Sequence, residues 1–182
     1  EAWAGDLADR FRAQFWVRDA LGPYPALALD AAKRPVDGCA SNMGHLLGTG
    51  ILTPDEAALV VARLTTPDLF TGYGIRTLSS TNAGYWPLSY HVGSVWAHDT
   101  AVCVAGMLRE GFTEQARTVA RGLLRAASGF DDRLPELFGG QPAPGHAEPG
   151  HAPVWPPVPY PASCRPQAWA AASASVMLDA LS

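Results

Sequence analysis

Apolar residues recur at helical spacing in six stretches of the chain. Leu7, Phe11 and Phe15 fall at i, i+4 and i+8 among Asp6, Asp9, Arg10 and Arg12, which predicts an amphipathic helix over 2–16. Residues 21–37, rich in Pro and Gly, read as loop or short extended structure, and a second helix is expected over about 40–48. The third helix has the clearest start. Thr53 can cap it, Pro54 suits the first helical position, and Glu56 can reach back to close a capping box, with the helix running to about Leu64.

Over residues 65–94 the period disappears, broken by Pro67, Gly72, Gly74, Gly84 and Pro87, while Tyr73, Tyr85, Trp86 and Tyr90 supply aromatic rings. A long loop of that composition points to function. A fourth helix, over about 95–109, is apolar nearly all round ("AVCVAGML") and so needs cover on most sides. Gly111 ends it. A fifth starts with Thr113 as cap and sets Ala116, Val119, Ala120, Leu123 and Leu124 against Arg117, Arg121 and Arg125, and a sixth spans about 167–181. Between the last two, residues 141–163 hold half of the chain's 16 prolines. Short turns alternating with long Pro/Gly/aromatic loops suggest stacked helical hairpins with one working face.

Composition narrows the functional classes. The 182 residues suit one domain, residues 1–182, able to bury a core. No apolar run reaches the roughly 18 residues that a membrane-spanning helix needs, so no membrane partner is expected. A net charge of -4 with 13 Lys plus Arg supplies no cation cluster to displace counterions from a phosphate backbone, which argues against nucleic acid. Cys39, Cys103 and Cys164 are odd in number and far apart, without a CxxC pair, and the N-terminus has no secretory pattern. A reducing, cytoplasmic location is expected. The chain starts with an amphipathic pattern already under way, so it reads as a piece of something longer.

Two short stretches carry candidate chemistry. In "SYHVGSVWAHD", residues 89–99, rings and imidazoles surround a carboxylate. If Ser94 caps the next helix, Trp96 and Asp99 share one face near its N-terminus, with Tyr90 and His91 in the incoming loop. Sugars use such sets, since their apolar faces stack on rings while their hydroxyls need directional partners. Trp96 as core packing and Asp99 as a helix-dipole partner fit the same residues. In "RLPELFGG", residues 133–140, Glu136 follows a proline and precedes an apolar pair, so its carboxylate is held at a turn. A held, partly desolvated carboxylate can act as a general base; an ordinary surface Glu fits too.

Other chemistry finds less support. His146, Glu148 and His151 lack the rigid helical spacing of zinc hydrolases and an evident third ligand, so no metal is expected. The Gly-rich stretches lack the lysine of a nucleotide loop, no Gly-x-Ser-x-Gly elbow is present, and no cofactor is implied.

Five motifs in one order, "ALALDAAKRPVDGCASNMGHLLGTGI", "GYGIRTLSS", "SYHVGSVWAHDTAV", "RLPELFGG" and "PVPYPASCRPQAWAAAS", resemble the C-terminal half of bacterial glycogen-debranching proteins of the amylo-alpha-1,6-glucosidase group. The resemblance covers about residues 15–182. It implies an all-α fold, an (α/α)6 toroid of which six helices would form half the ring. It also implies an inverting glycoside hydrolase acting on α-glucans or related oligosaccharides. Glu136 would be the catalytic base, and Arg76, Tyr90, His91, Trp96, His98, Asp99, Gln167 and Trp169 would line the sugar pocket. The chain departs from the family pattern at Val92, where Asn is usual, and at Ala97, where Pro is usual. Inverting hydrolysis also needs a general acid about 6.5 to 9.5 Å from the base. The family carries that acid in a "W-K-D-S" type motif, which these residues do not contain. The implied partner is therefore a carbohydrate, with a non-catalytic sugar-binding remnant as the alternative. Half a ring would expose an unpaired inner face, so self-association is expected.

Overall fold

A computed structural model describes residues 2–146 and 148–182. Helices dominate the regular structure and small sheets occupy the connections. The chain begins with α1 (Ala2–Gln14), then β1 (Trp16–Asp19) and β2 (Gly22–Pro25), an antiparallel hairpin, and a second hairpin of β3 (Ala28–Leu29) and β4 (Pro35–Val36). A 3-10 helix (Ser41–Leu46) leads into α2 (Pro54–Leu64). After the long loop come β5 (Val95–Trp96), α3 (Ala97–Arg109), α4 (Thr113–Ser128), β6 (Leu137–Phe138) and α5 (Ala168–Leu181). No helix among the described residues is long and apolar enough to cross a membrane.

Local signals set some boundaries. At α2 both halves of the capping box form: Glu56 N donates to Thr53 Oγ1 at 3.2 Å, and Thr53 N donates to Glu56 Oε2 at 2.8 Å. The same Glu56 oxygen accepts from Arg12 Nε at 3.2 Å, docking α1 beside α2. Residues 21–37 hold the short extended structure expected of them, as parts of two hairpins, the first pairing Trp16 to Asp19 residue by residue with Pro25 to Gly22 across a tight turn. Three expectations need correction. Residues 41–46 wind as a 3-10 helix, which packs close to α3 instead of propagating. Thr113 lies inside α4, whose cap position is Phe112 with no side-chain cap bond. Ser94 does not cap α3 either, because Val95 and Trp96 are held extended by pairing with Phe138 and Leu137.

The core forms where α3, α4 and α5 pack on one another and where α3 meets the 3-10 helix. Ala97, Cys103, Val104 and Met107 of α3 are all fully buried, as the apolar run of this helix requires. Close approach of the 3-10 helix depends on two glycines. A Cβ on Gly106 would meet Leu47 Cβ at 2.6 Å, and one on Gly44 would collide with the Cys103 thiol. Arg63, only 3% exposed, donates to Asp19 and Asp68, each at 2.8 Å, and so pins the first hairpin and the long loop to α2.

Isolated bridges extend β5 and β6 on both sides. Arg76 pairs with Val95, Val95 with Phe138, and Phe138 with Pro159. Four segments far apart in sequence are thereby laid side by side above the N-terminal end of α3. This narrow layer positions the candidate site.

Candidate functional site

A hollow of about 370 Å³ opens at the N-terminus of α3, lined by Thr77, Tyr90, His91, Trp96, His98, Asp99, Glu136 and Trp169. The Trp96 to Leu137 pairing places Glu136 beside it, one residue before β6. Glu136 is half-buried; its backbone N–H donates to Cys164 O at 3.0 Å, and its Oε1 accepts from the Tyr90 hydroxyl at 3.3 Å. That carboxylate is held at its backbone and by one phenol, and among the described residues it forms no salt bridge.

The aromatic side chains are locked to one another. Trp96 Nε1 donates to Tyr90 O at 2.8 Å, closing the loop over the start of the helix, and the Tyr90 and Trp96 rings meet edge to face at 4.7 Å. His91 stacks on Trp96 at 5.4 Å and 11°, and His98 stacks on Trp169 at 3.9 Å and 10°. Such pairing fixes the ring planes, which a stacking surface for an apolar ligand face requires. Ser94, read from sequence as a cap, instead donates to Tyr90 O at 2.9 Å and accepts from Trp96 Nε1 at 3.2 Å.

Asp99 lies in the first turn of α3, its side chain 13% exposed, with Oδ1 2.6 Å from His45 Nε2. Its other oxygen, Oδ2, is buried and has no hydrogen-bond partner. His98 Nδ1 is likewise buried without a partner, and desolvation pushes the imidazole below its ordinary value of 6.5. The hydrogen bond that His45 makes to Asp99 holds its imidazole above that value, against the opposing effect of burial. Burial, reinforced by Glu136, raises the Tyr90 phenol, so it remains a donor through the neutral range. The hollow thus presents two carboxylates, a phenol donor and a neutral imidazole among aromatic walls. A second, apolar hollow of about 360 Å³ runs on between α3 and α5, sharing only His98 and Trp169 with the first, so their stack forms the partition.

Seven of the nine residues expected at the site meet here: Glu136, Tyr90, His91, Trp96, His98, Asp99 and Trp169. Two do not line it. Arg76 is fully buried, donates to Gly140 O and Pro67 O, each at 2.7 Å, and pairs with Glu148 at 2.6 Å. It braces the loop layer from behind. Gln167 caps α5, its Oε1 accepting from Trp169 N at 3.1 Å and Ala170 N at 3.4 Å, which fixes where Trp169 starts. Glu148 is also engaged by the Ser80 hydroxyl at 2.7 Å, and His151 Nδ1 lies 3.5 Å from it. Among the described residues no group of three or more His, Cys, Asp or Glu converges as metal ligands.

Sequence reading missed Thr77 and His45. Thr77 follows Arg76 in "GYGIRTLSS", and its hydroxyl donates to Ser94 O at 3.0 Å at the edge of the hollow. His45 stands in "SNMGHLLGTGI", a stretch that carried part of the family likeness, yet nothing local ties it to residue 99. Comparison of the chain with protein-family models and with curated proteins finds no match.

Proposed function

We propose that the hollow binds an α-glucan or a related oligosaccharide and that the chain is a glycoside hydrolase element of the glycogen-debranching type, with Glu136 as general base. On this reading the helices are part of an (α/α)6 ring, whose elaborated loops gather at one end. The observation that carries it is the assembly, from three separate segments, of Trp96, Trp169, Tyr90, Asp99 and Glu136 around one open hollow. Fixed rings suit the apolar face of a pyranose, and the unpartnered Asp99 oxygen suits a hydroxyl that donates to it. Glu136, held beside a phenol and facing the same space, stands where a water could be activated against a bound sugar. An inverting reaction also needs a general acid on the opposite side of the scissile bond. The acid motif that the likeness calls for is not among these residues, which keeps a second reading alive: a sugar-binding module without turnover.

Titration with maltotriose, followed by Trp fluorescence, tests binding, because Trp96 and Trp169 both line the hollow. Saturable change is expected, with Trp169→Ala weakening it about tenfold, roughly the loss of one good aromatic contact. Unchanged fluorescence across malto-oligosaccharides of several lengths would sink the sugar reading. Release of reducing sugar separates the two versions. Turnover that Glu136→Gln lowers by about 10² or more, with binding kept, identifies the base, while binding with no release identifies the module.

A further inference from the structure

We propose that His45 is a positioning residue for the sugar hollow: it clamps one oxygen of Asp99 so that the other faces a ligand hydroxyl, and it makes sugar affinity depend on its own protonation. The proposal rests on the sugar reading above. Four observations carry it. His45 Nε2 lies 2.6 Å from Asp99 Oδ1, across 54 residues of sequence. Asp99 Oδ2 is buried without a partner, and Asp99 lines the hollow. The 3-10 helix that carries His45 presses on α3 through Gly44, where any Cβ would collide with Cys103, one turn along α3 from Asp99. Finally, His45 does not line the hollow, so it acts only through Asp99.

The chemistry follows from the two oxygens. An ionised carboxylate only accepts hydrogen bonds, and one that is free to rotate offers either oxygen in many directions. Binding Oδ1 to a ring nitrogen fixes the carboxylate plane, so Oδ2 is presented in one orientation before the ligand arrives, and less entropy is lost on binding. The geometry assigns the proton of neutral His45 to Nε2, because a carboxylate facing that nitrogen has no proton to give. Protonation of the other nitrogen then leaves the bond in place but makes it charge-assisted, shorter and roughly twice as strong.

The electrical surroundings of His45 are few. From α3 it faces Asp99 and, next to it, His98, with Glu136 acting on His98 from the β6 side. The buried Cys103 thiol, also on α3, sits near Asp99, and burial pushes it up, so it stays neutral. From α2, Glu56 is taken up by Thr53 and Arg12, Arg63 by Asp19 and Asp68, and Asp55 is exposed. His45 titrates above the ordinary histidine value and His98 below it, so their effects fall in different pH ranges.

The test uses the 182-residue chain, maltotriose as probe and Trp fluorescence from about pH 5.5 to about pH 8.5, a range spanning histidine titration. In the wild type, affinity is expected to fall about threefold as pH rises through the His45 titration, following loss of the charge-assisted bond. His45→Gln keeps a donor near the Nε2 position but cannot titrate. It should bind within about twofold of the high-pH wild type, with that part of the pH dependence gone. His45→Leu removes the donor and should weaken binding about tenfold at every pH. In parallel, NMR titration of the His45 ring in the free protein should show an elevated value that Asp99→Asn returns toward 6.5. Wild-type affinity in His45→Leu, or a wild-type pH profile in His45→Gln, would overturn the proposal while leaving sugar binding intact. If the wild type gives no response to maltotriose, the sugar reading falls and takes this role with it. The NMR arm then still reports whether the pair forms.

Discussion

Two carboxylate contacts of the same 2.6 Å length, Arg76 to Glu148 and His45 to Asp99, stand in opposite surroundings. Arg76 and Glu148 are sealed, with side chains 0% and 6% exposed, and the guanidinium also holds two backbone carbonyls. His45 and Asp99 are 46% and 13% exposed, Asp99 lines the hollow, and its second carboxylate oxygen is buried without a hydrogen-bond partner. In the sealed pair Arg76 turns Nε and Nη1 to the carbonyls of Gly140 and Pro67 and Nη2 to the Glu148 carboxylate, tying residues 67, 76, 140 and 148 into one body. The open pair keeps a group in reserve. A buried charge that has lost its partner is costly, whereas a half-exposed one is rescued by water, so the two regions should respond differently to the same kind of change.

The largest effect is expected from breaking the sealed pair. Glu148→Gln leaves the Arg76 charge buried without a counter-charge and should cost about 3 to 5 kcal/mol, read as a shift in the urea midpoint with an unchanged slope. Loss of maltotriose binding should follow only from unfolding. A stability change within about 0.5 kcal/mol would show that Glu148 is solvated and that the contrast between the regions is false.

Next comes the route by which the open pair is held. Gly44→Val would force a branched side chain into Cys103, costing about 1 to 3 kcal/mol as overpacking and moving His45 off Asp99. Thermal melts check the first part. The second predicts that the His45 titration drops back toward 6.5 in the NMR experiment. A folded variant that keeps the elevated titration would dissociate the close approach from the pair. As a control, Thr53→Ala removes a capping box whose residues do not line the hollow. It should cost about 1 kcal/mol with sugar affinity unchanged.

The smallest effect lies in the open pair's own contribution to stability. Its sign follows from linkage. The folded-state value of His45 is raised, so its stabilisation is fully present below about 6.5, the unfolded value, and is lost as pH rises through the folded value. Because the imidazole is nearly half exposed, the increment should stay below about 1 kcal/mol, and Asp99→Asn should remove it. Urea titrations at the two ends of that window measure it. Stability that instead rose with pH across the window in the wild type alone would reverse the assignment of the charged partner.

The residues themselves show what was readable in advance. Thr53, Pro54 and Glu56 announce the start of α2 because capping is settled within one turn, by atoms three residues apart. The period of Ala116, Val119, Ala120 and Leu123 marks the buried face of α4 for the same local reason. Glu136, Trp96 and Asp99 stood out as residue types in company. Their meeting could not be read, since β5 and β6 are two residues long and carry no alternation of their own. Arg76 shows the converse. Its motif suggested a ligand-facing cation, but the approach of residues 140 and 148 leaves it enclosed.

By itself, then, the sequence determined where the long helices lie, which faces of them are apolar, and that aromatic and acidic residues concentrate in a few loops. All of these depend on side chains within a turn or two of each other. Only the tertiary structure decided which carboxylate oxygen is bound and which is spare, which cation is sealed, and that His45 stands behind Asp99. Those outcomes depend on contacts between segments tens of residues apart. They were set by where glycines allow close approach and by which backbone groups found partners across the strand layer.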